Sequence, residues 1–453
     1  MTDKRISIHG QWSSRWAFIL AATGSAVGLG NIWRFPYITG TYGGGAFVLV
    51  YVLCVLLVAM PIMMAEIMLG RRGRRSPINT MHVLAEEEGL SKAWRYLGWL
   101  GVVAGFLILS FYSVVAGWTL DYIFRAGSGA FTNATDTGIV EIFDGLLASP
   151  ERLLVMHTLF MSLTVIVVSM GVQSGLERAV KFLMPALFIL LVIMVGYAMS
   201  TPGFNKGLDY LFEPDFSKLT GEGMLAAMGQ AFFSLSLGMG AIMTYGSYLP
   251  DRASIAKTTI SIVMADTAVA ILAGMAIFPL VFSYALQPNS GPGLIFVTLP
   301  IAFGKMPYGQ IVGAGFFILL LFAAWTSSIS LLEPAVAWLV ENRDMSRPRA
   351  AGLAGLIAWI LGIGSVLSFN DWQDIRLFDK TYFDIMDYLT SNIMLPLGGF
   401  LLAIFAAWLM PRKSSEDELK LGKGLAYHTW RFLVRYLAPL GVLIIFLNAI
   451  GLI

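Results

Sequence analysis

Eleven stretches of mostly apolar residues, separated by short polar loops, make up most of this 453-residue chain. A helix needs roughly 20 such residues to cross the hydrocarbon of a bilayer. The runs fall at 13–38, 42–70, 94–125, 152–171, 175–199, 224–249, 255–286, 309–341, 350–369, 380–410 and 427–452, numbered here as spans 1 to 11. With 57% apolar and only 13% charged residues, the chain departs from soluble globular composition and reads as an all-α polytopic membrane protein. The polar N-terminus, MTDKRISIHGQWSSRW, offers no small-residue cleavage site, so span 1 is expected to be retained. A lone Cys54 excludes a disulfide framework or a thiolate metal site, and His9, His82, His157 and His428 show no ligand spacing.

Basic residues set the expected orientation. Lys4, Arg5, Arg15, the run 71–75, Lys92, Arg95, Arg178, Lys181, Arg252, Lys257 and the loops 341–349 and 411–423 all fall on one side. The opposite loops hold few cations. The spacing predicts a protein of the inner (plasma) membrane with a cytoplasmic N-terminus and, after eleven spans, an extracytoplasmic C-terminus. Asn133-Ala134-Thr135 fits a glycosylation triplet on the outer side, a pattern too common by chance to carry weight.

Spans 1 and 6 are each interrupted by glycines near the middle, GSAVGLGN at 24–31 and SLSLGMG at 234–240, about 210 residues apart. Each opens a block of five spans, and an odd number inverts the second block relative to the first. Paired interruptions of this kind point to a transporter's midplane site. Unwound backbone in a bilayer must find partners, at several kcal/mol for each group left without one. A half-helix ending near Val27 presents carbonyls to a cation, and one starting near Gly30 presents N–H groups to an anion. A zwitterion such as an amino acid suits that pair. Gly24 and Gly28 also form a G-x-x-x-G, but the glycines are better explained as permission for the helix to break.

Intramembrane charge usually marks function. Asp266 lies deep in span 7, Glu66 late in span 2 and Glu333 within span 8; Arg34 follows the first break, and Asp384 and Asp387 begin span 10. A carboxylate at Asp266 calls for protonation or a bound cation, whereas Glu66 has the alternative of capping unwound backbone. Thr326, Ser327, Ser328 and Ser330 form a hydroxyl cluster in span 8. Hydroxyls with carbonyls are the hard-oxygen donors a sodium ion takes, although such hydroxyls also bond back to their own helix.

These residues resemble the bacterial neurotransmitter:sodium symporters, transporters of the LeuT fold. The likeness rests on QWSSRWAFILAATGSAVGLGNIWRFP (11–36), GGGAF (43–47), GWTL (117–120), GQAFFSLSLGMGAIMTYGSY (229–248), GPGLIFVTLP (291–300) and TSSISLLEP (326–334). It implies a single transporter domain over 1–453, with a first five-helix repeat at 13–199, an inverted second repeat at 224–410 and an additional span at 427–453. It also implies two sodium sites and no organic cofactor. The first would use the Ala26 carbonyl, Asn31, Ser234, Asp266 and the substrate carboxylate. The second would use the carbonyls of Gly24, Val27 and Ala323 with the hydroxyls of Thr326 and Ser327. The substrate carboxylate would meet Leu29 and Gly30 N–H groups and Tyr112, beside Ala26 and Ser234. Its side chain would lie among Ile108, Phe233, Ser236, Met239, Ser327 and Leu331. Phe233 would be the lid, and Arg34 with Asp387 the outer gate.

In chloride-dependent relatives the ion lies near positions matching Tyr51, Gln230, Ser234 and a hydroxyl at Ala270. With Asp266 present and no hydroxyl at Ala270, chloride independence is expected. The inner gate of relatives pairs an N-terminal Arg with an acid that matches Glu341, but His9 stands at the Arg position, leaving Lys4 or Arg5 as alternative partners. Met239, where a small-substrate relative has Phe, is flexible and suits larger apolar side chains. Span 5 holds Gly175 and Pro185 nine residues apart, a pattern that in relatives marks a segment unwinding to admit water toward the second sodium; a glycine start with a proline kink is the plain alternative. The reading is sodium-coupled symport of a hydrophobic L-amino acid by alternating access, with no nucleic acid partner. A proton-coupled transporter, or one for a related zwitterion or amine, remains the alternative. No nucleophile–base pair or metal-ligand set points to an enzyme.

Overall fold

In the computed structural model, residues 5, 7–132, 134–288, 293–422, 424–449 and 452 are described. Lys4, the Asn133 triplet start and the Gly291-Pro292 opening of GPGLIFVTLP lie outside them. The described residues are helical with no strand, apart from two isolated bridges. Among them, nine helices are long and apolar enough to cross a membrane: Gly45–Gly73, Lys92–Gly127, Pro150–Ser169, Val172–Met199, Ile255–Ser283, Gly309–Arg343, Arg347–Leu367, Tyr382–Leu409 and Leu425–Ala449. They correspond to spans 2–5 and 7–11. Span 1 is the pair Arg15–Ala26 and Gly30–Thr41, bent by 52°. Span 6 is two helices, Gly221–Ser234 and Ala241–Ser247, around the interruption at 235–240.

Burial sorts the spans into centre and periphery. The most apolar window of span 3 is 78% buried and that of span 8 is 72% buried, against 22% for span 11. Spans 3 and 8 therefore form the packed wall beside the two broken spans, while span 11 faces outward with much of its surface for lipid.

The span 6 break follows from its residues. Ser236, Gly238 and Gly240 all take positive φ, at 52°, 75° and 72°, a region glycine reaches without a steric penalty and serine does not. Ser236 is held there by its hydroxyl, which donates to the Ser25 carbonyl at 2.8 Å. Glu66, fully buried, accepts from Gly238 N at 3.3 Å. It caps unwound backbone, the plainer of its two sequence readings. Glu333 likewise has a structural setting, accepting from Tyr248 Oη at 2.7 Å and paired with Arg347. Asp384 completes a capping box with Thr381.

The second helix of span 6, Ala241–Ser247, lies tight against span 2. A Cβ on Gly70 would lie 2.0 Å from the Met243 carbonyl oxygen, and one on Gly246 would lie 2.9 Å from that of Ile67. Below this seam the arginine run does specific bonding. Arg71 Nη1 donates to Ala253 O at 2.6 Å, and Arg74 Nη1 donates to Leu249 O at 2.5 Å and Ser247 O at 3.1 Å. Those are carbonyls at the end of span 6 and in the following loop. The same two arginines pair with Glu418 and Asp251.

Candidate functional site

The first helix of span 1 ends at Ala26, and Val27 turns to extended backbone at φ −71°, ψ 107°. A regular helix would send the Gly28 and Leu29 N–H groups back to Gly24 and Ser25. Instead Gly28 N donates to Asn31 Oδ1 at 3.2 Å and Leu29 N donates to Tyr112 Oη at 3.3 Å. The released carbonyls turn to other spans. Ser327 Oγ lies 3.4 Å from Gly24 O, 3.3 Å from Ser25 O and 3.3 Å from Val27 O. Thr326 Oγ1 lies 3.1 Å from Ala323 O. Ser327 thus meets the Gly24 and Val27 carbonyls expected to share a second cation, while Thr326, which faces Gly24, bonds back to Ala323 and Phe322 of its own helix.

A second polar group forms on the other side of the break. Asn31 Nδ2 donates to Asp266 Oδ1 at 2.8 Å and to Ser234 Oγ at 3.1 Å, while Ser234 Oγ donates to Asp266 Oδ2 at 2.6 Å. Tyr51 Oη lies 3.3 Å from Ser234 Oγ. Asn31, Asp266 and Tyr51 are completely buried. Asp266, whose chemistry asked for a partner, is met by hydroxyl and amide donors and, among the described residues, by no cationic side chain. Gln230 Nε2, beside this group, donates to Gly30 O at 2.8 Å.

Between the two groups lies a small cavity of about 20 Å³, lined by Ala26, Leu29 and Gly30 of the break and by Ile108 and Tyr112 of span 3. Phe233, Ser236 and Met239 of span 6 and Ser327 and Leu331 of span 8 close it. All ten were expected there; Ser234 was also expected and sits instead within the Asp266 group. None of the cavity's lining side chains is charged.

The Phe233 ring lies over Gly30, where a Cβ would come within 3.1 Å of it, and the Arg34 guanidinium stacks on the ring at 4.8 Å from its centroid. Arg34 and Asp387 face one cavity beyond Phe233, yet among the described residues no ion pair within 4 Å joins them. At the other end, Glu341 accepts from Ser76 N at 2.7 Å, Ser76 Oγ at 2.6 Å and Asn79 Nδ2 at 2.6 Å, and contacts His9 Nε2 at 3.0 Å. Arg5 pairs with Glu87 instead, at 2.8 Å. His9, standing at the expected arginine position, is itself the partner of Glu341.

A paired break flanked by two oxygen-donor groups and an uncharged cavity is a transporter's arrangement, and comparison with known proteins agrees. The profile of the Sodium:neurotransmitter symporter family matches residues 9–135 and 140–452. The chain belongs to this family. The symporter is 41% identical over 450 residues to the uncharacterised sodium-dependent transporter YhdH of Bacillus subtilis (strain 168), covering 98% of each chain. It is 35% identical over 444 residues to an uncharacterised sodium-dependent transporter of Haemophilus influenzae, covering 96% of this chain and 97% of that one. Among solved structures, that of MhsT in complex with L-phenylalanine superposes with a TM-score of 0.90 at 44% identity, covering 97% of this chain and 99% of that one. The protein is therefore a sodium-dependent, multi-pass secondary transporter of LeuT fold, and its family is not one of enzymes.

Three features of the symporter's site escaped the sequence. Ser25 contributes a carbonyl that two hydroxyls reach. Gly28 is a point of close approach, since a Cβ there would lie 2.6 Å from Ser327 Oγ and 3.1 Å from Tyr112 Oη. Gly24 similarly faces Thr326 Cβ, at 3.1 Å from the position a Cβ would take. The G-x-x-x-G set aside above is thus a packing face toward span 8 as well as a break. Its spacing was the available signal.

Proposed function

We propose that this symporter carries a hydrophobic L-amino acid into the cell with sodium by alternating access, without chloride. The observation that supports this reading best is the cavity itself. At one end Leu29 N–H and Tyr112 Oη adjoin the break, suited to a carboxylate. At the other, Ile108, Phe233, Met239 and Leu331 offer only apolar surface. An acidic or basic substrate side chain would be buried there without a countercharge, at a cost of several kcal/mol. The bound L-phenylalanine of MhsT supports the same substrate class.

In this reading Asn31, Ser234, Asp266 and the Ala26 carbonyl hold one sodium ion, and Gly24, Val27, Ala323, Thr326 and Ser327 hold the other. Asp266 supplies the negative charge for which chloride serves in some relatives, beside an Ala270 that has no hydroxyl. Phe233 covers the substrate, Arg34 and Asp387 close the outer side through a charge-assisted contact that includes water, and His9 with Glu341 closes the inner side. The protein lies in the inner membrane with its N-terminus cytoplasmic, and residues 13–199 and 224–410 are its two inverted repeats. Sodium and substrate must tighten one another by the same factor.

Binding in detergent tests the proposal. L-phenylalanine, L-tryptophan and L-leucine are expected to bind in sodium and to lose at least tenfold in affinity in potassium. Glutamate, lysine and γ-aminobutyrate are expected not to compete. Replacing chloride by gluconate should leave the sodium-driven binding unchanged. Absence of competition by every hydrophobic amino acid in sodium would sink the substrate assignment, and a chloride requirement would sink the role given to Asp266.

A further inference from the structure

Spans 10 and 11 meet through two π-helical turns, Phe405–Leu409 and Leu433–Leu437, a geometry that is uncommon and recurs at functional sites. Trp408 of the first turn donates through its indole Nε1 to Arg435 O of the second at 2.8 Å. The Arg435 guanidinium lies over the Trp408 ring at 4.4 Å from its centroid and over the Tyr436 ring at 5.6 Å. The rings attract the cation through its flat faces. They leave its edges, where the N–H donors point, without acceptors. Among the described residues no oxygen accepts from this guanidinium and no carboxylate pairs with it, and its Nε is shut off from solvent as well.

The neighbouring arginines differ. Arg431 Nη1 donates to Tyr427 Oη at 2.8 Å and to Ser415 Oγ at 3.3 Å. Arg412 pairs with Glu416 at 2.6 Å and contacts His428 Nε2 at 3.2 Å. Arg435 has no such acceptor, in a span where a charge is costly and calls for a partner. Its surroundings say where that partner comes from. Trp408, Tyr436 and Phe432 are each half exposed or more, and aromatic rings gather at the level of lipid head groups. Trp408 stands in the last turn of span 10, next to the 411–423 loop that Arg71 and Arg72 tie to the end of span 2. This is the end of the molecule that carries Glu341. Away from that end, Tyr436, Leu440 and Ile444 follow one another at four-residue spacing along span 11, all exposed.

We infer that spans 10 and 11 form a binding site for one anionic phospholipid. Its phosphodiester oxygens accept from the edge donors of Arg435 in the bidentate geometry a guanidinium offers. Trp408 and Tyr436 hold the guanidinium in place, and an acyl chain lies along Tyr436, Leu440 and Ile444. Basic pockets between spans take head groups in this way. The occupant is a lipid and not free phosphate, because the exposed apolar row leads directly away from the cation. The site lies apart from both ion groups and the substrate cavity, and does not depend on the transport reading.

Native mass spectrometry tests it on the full-length protein, equilibrated in mixed micelles with equal amounts of phosphatidylglycerol and phosphatidylcholine. The parent is expected to retain one phosphatidylglycerol several-fold more often than phosphatidylcholine. Both lipids carry a phosphodiester, but the choline cation competes with the guanidinium for it. Arg435→Gln should lose the preference and Trp408→Ala should weaken it several-fold. Arg412→Gln, whose arginine is partnered within the protein, should keep it. Tenfold more salt during equilibration should lower phosphatidylglycerol retention by the unaltered protein and spare phosphatidylcholine, an arm that stands even where Arg435→Gln folds poorly. Equal retention of the two lipids by the parent, or retention indifferent to salt, would overturn the inference. So would an undiminished preference in Arg435→Gln. Full displacement of phosphatidylglycerol by inorganic phosphate would overturn the lipid assignment, because the acyl chain would then contribute nothing.

Discussion

Gly28 shows how much of the site depends on a single missing carbon. A methyl group at that position would meet Ser327 Oγ at 2.6 Å and Tyr112 Oη at 3.1 Å, and both hydroxyls are held by other bonds and cannot retreat freely. Overpacking of this kind costs about 1–3 kcal/mol, and here it pushes on one group expected to hold a cation and one expected to hold a carboxylate. Gly28→Ala should therefore weaken sodium-dependent amino acid binding by about tenfold or more, read as a shift in both the sodium and substrate midpoints. Unchanged midpoints would mean that span 8 moves aside to accept the methyl group. At this scale the sequence was informative about chemistry and silent about proximity. Asp266 was recognisable from its chemistry, because a carboxylate is costly inside a bilayer, and Asn31 and Ser234 only through the resemblance to the family. The Ser25 carbonyl was not, since every residue carries one and only the course of the backbone decides which is free. His9 was legible as a departure from the family's arginine, but its contact with Glu341 depends on how the residues ahead of span 1 fold.

The broken spans were the most legible elements. A cluster of glycines in an apolar run weakens the helix it sits in, and two such clusters in matching places of two five-span blocks mark a shared geometry. Span limits read from hydropathy agree with the helices to within a few residues. The helices outside the spans were not seen. Pro77–Glu87, Asp136–Leu147 and Phe204–Phe212 lie in polar loops, where weak periodicity over one to three turns is easily lost. The break in span 6 also depends on a carboxylate from another span. Glu66→Ala would leave the Gly238 N–H group short of an acceptor deep inside the protein, at about 1–3 kcal/mol for a group left unsatisfied. The variant should unfold several degrees below the parent in a detergent melting experiment, and Glu66→Gln, which keeps an acceptor oxygen, should fall less. Equal melting temperatures for all three proteins would show that the unwound segment is satisfied from elsewhere.

Across the whole molecule, the end that carries Glu341 is closed by contacts of unequal weight. Glu341 gathers Ser76, Asn79 and His9, so removing the carboxylate strands polar groups on three residues, whereas removing the imidazole strands none on the other two. Glu341→Ala is therefore expected to weaken sodium-dependent substrate binding by more than tenfold and His9→Ala by less, with His9→Arg close to the parent. The reverse order would mean that the imidazole, not the carboxylate, organises the closure of that end. The arginine run at the same end has a different part. Predicted from charge alone as a marker of sidedness, Arg71 and Arg74 also hold the carbonyls and acids that follow span 6. Together with the Gly70–Met243 and Gly246–Ile67 contacts, they leave span 2 and the second helix of span 6 no room to slide past one another. Whatever rearranges as the molecule carries its cargo, these two helices are expected to shift as one piece.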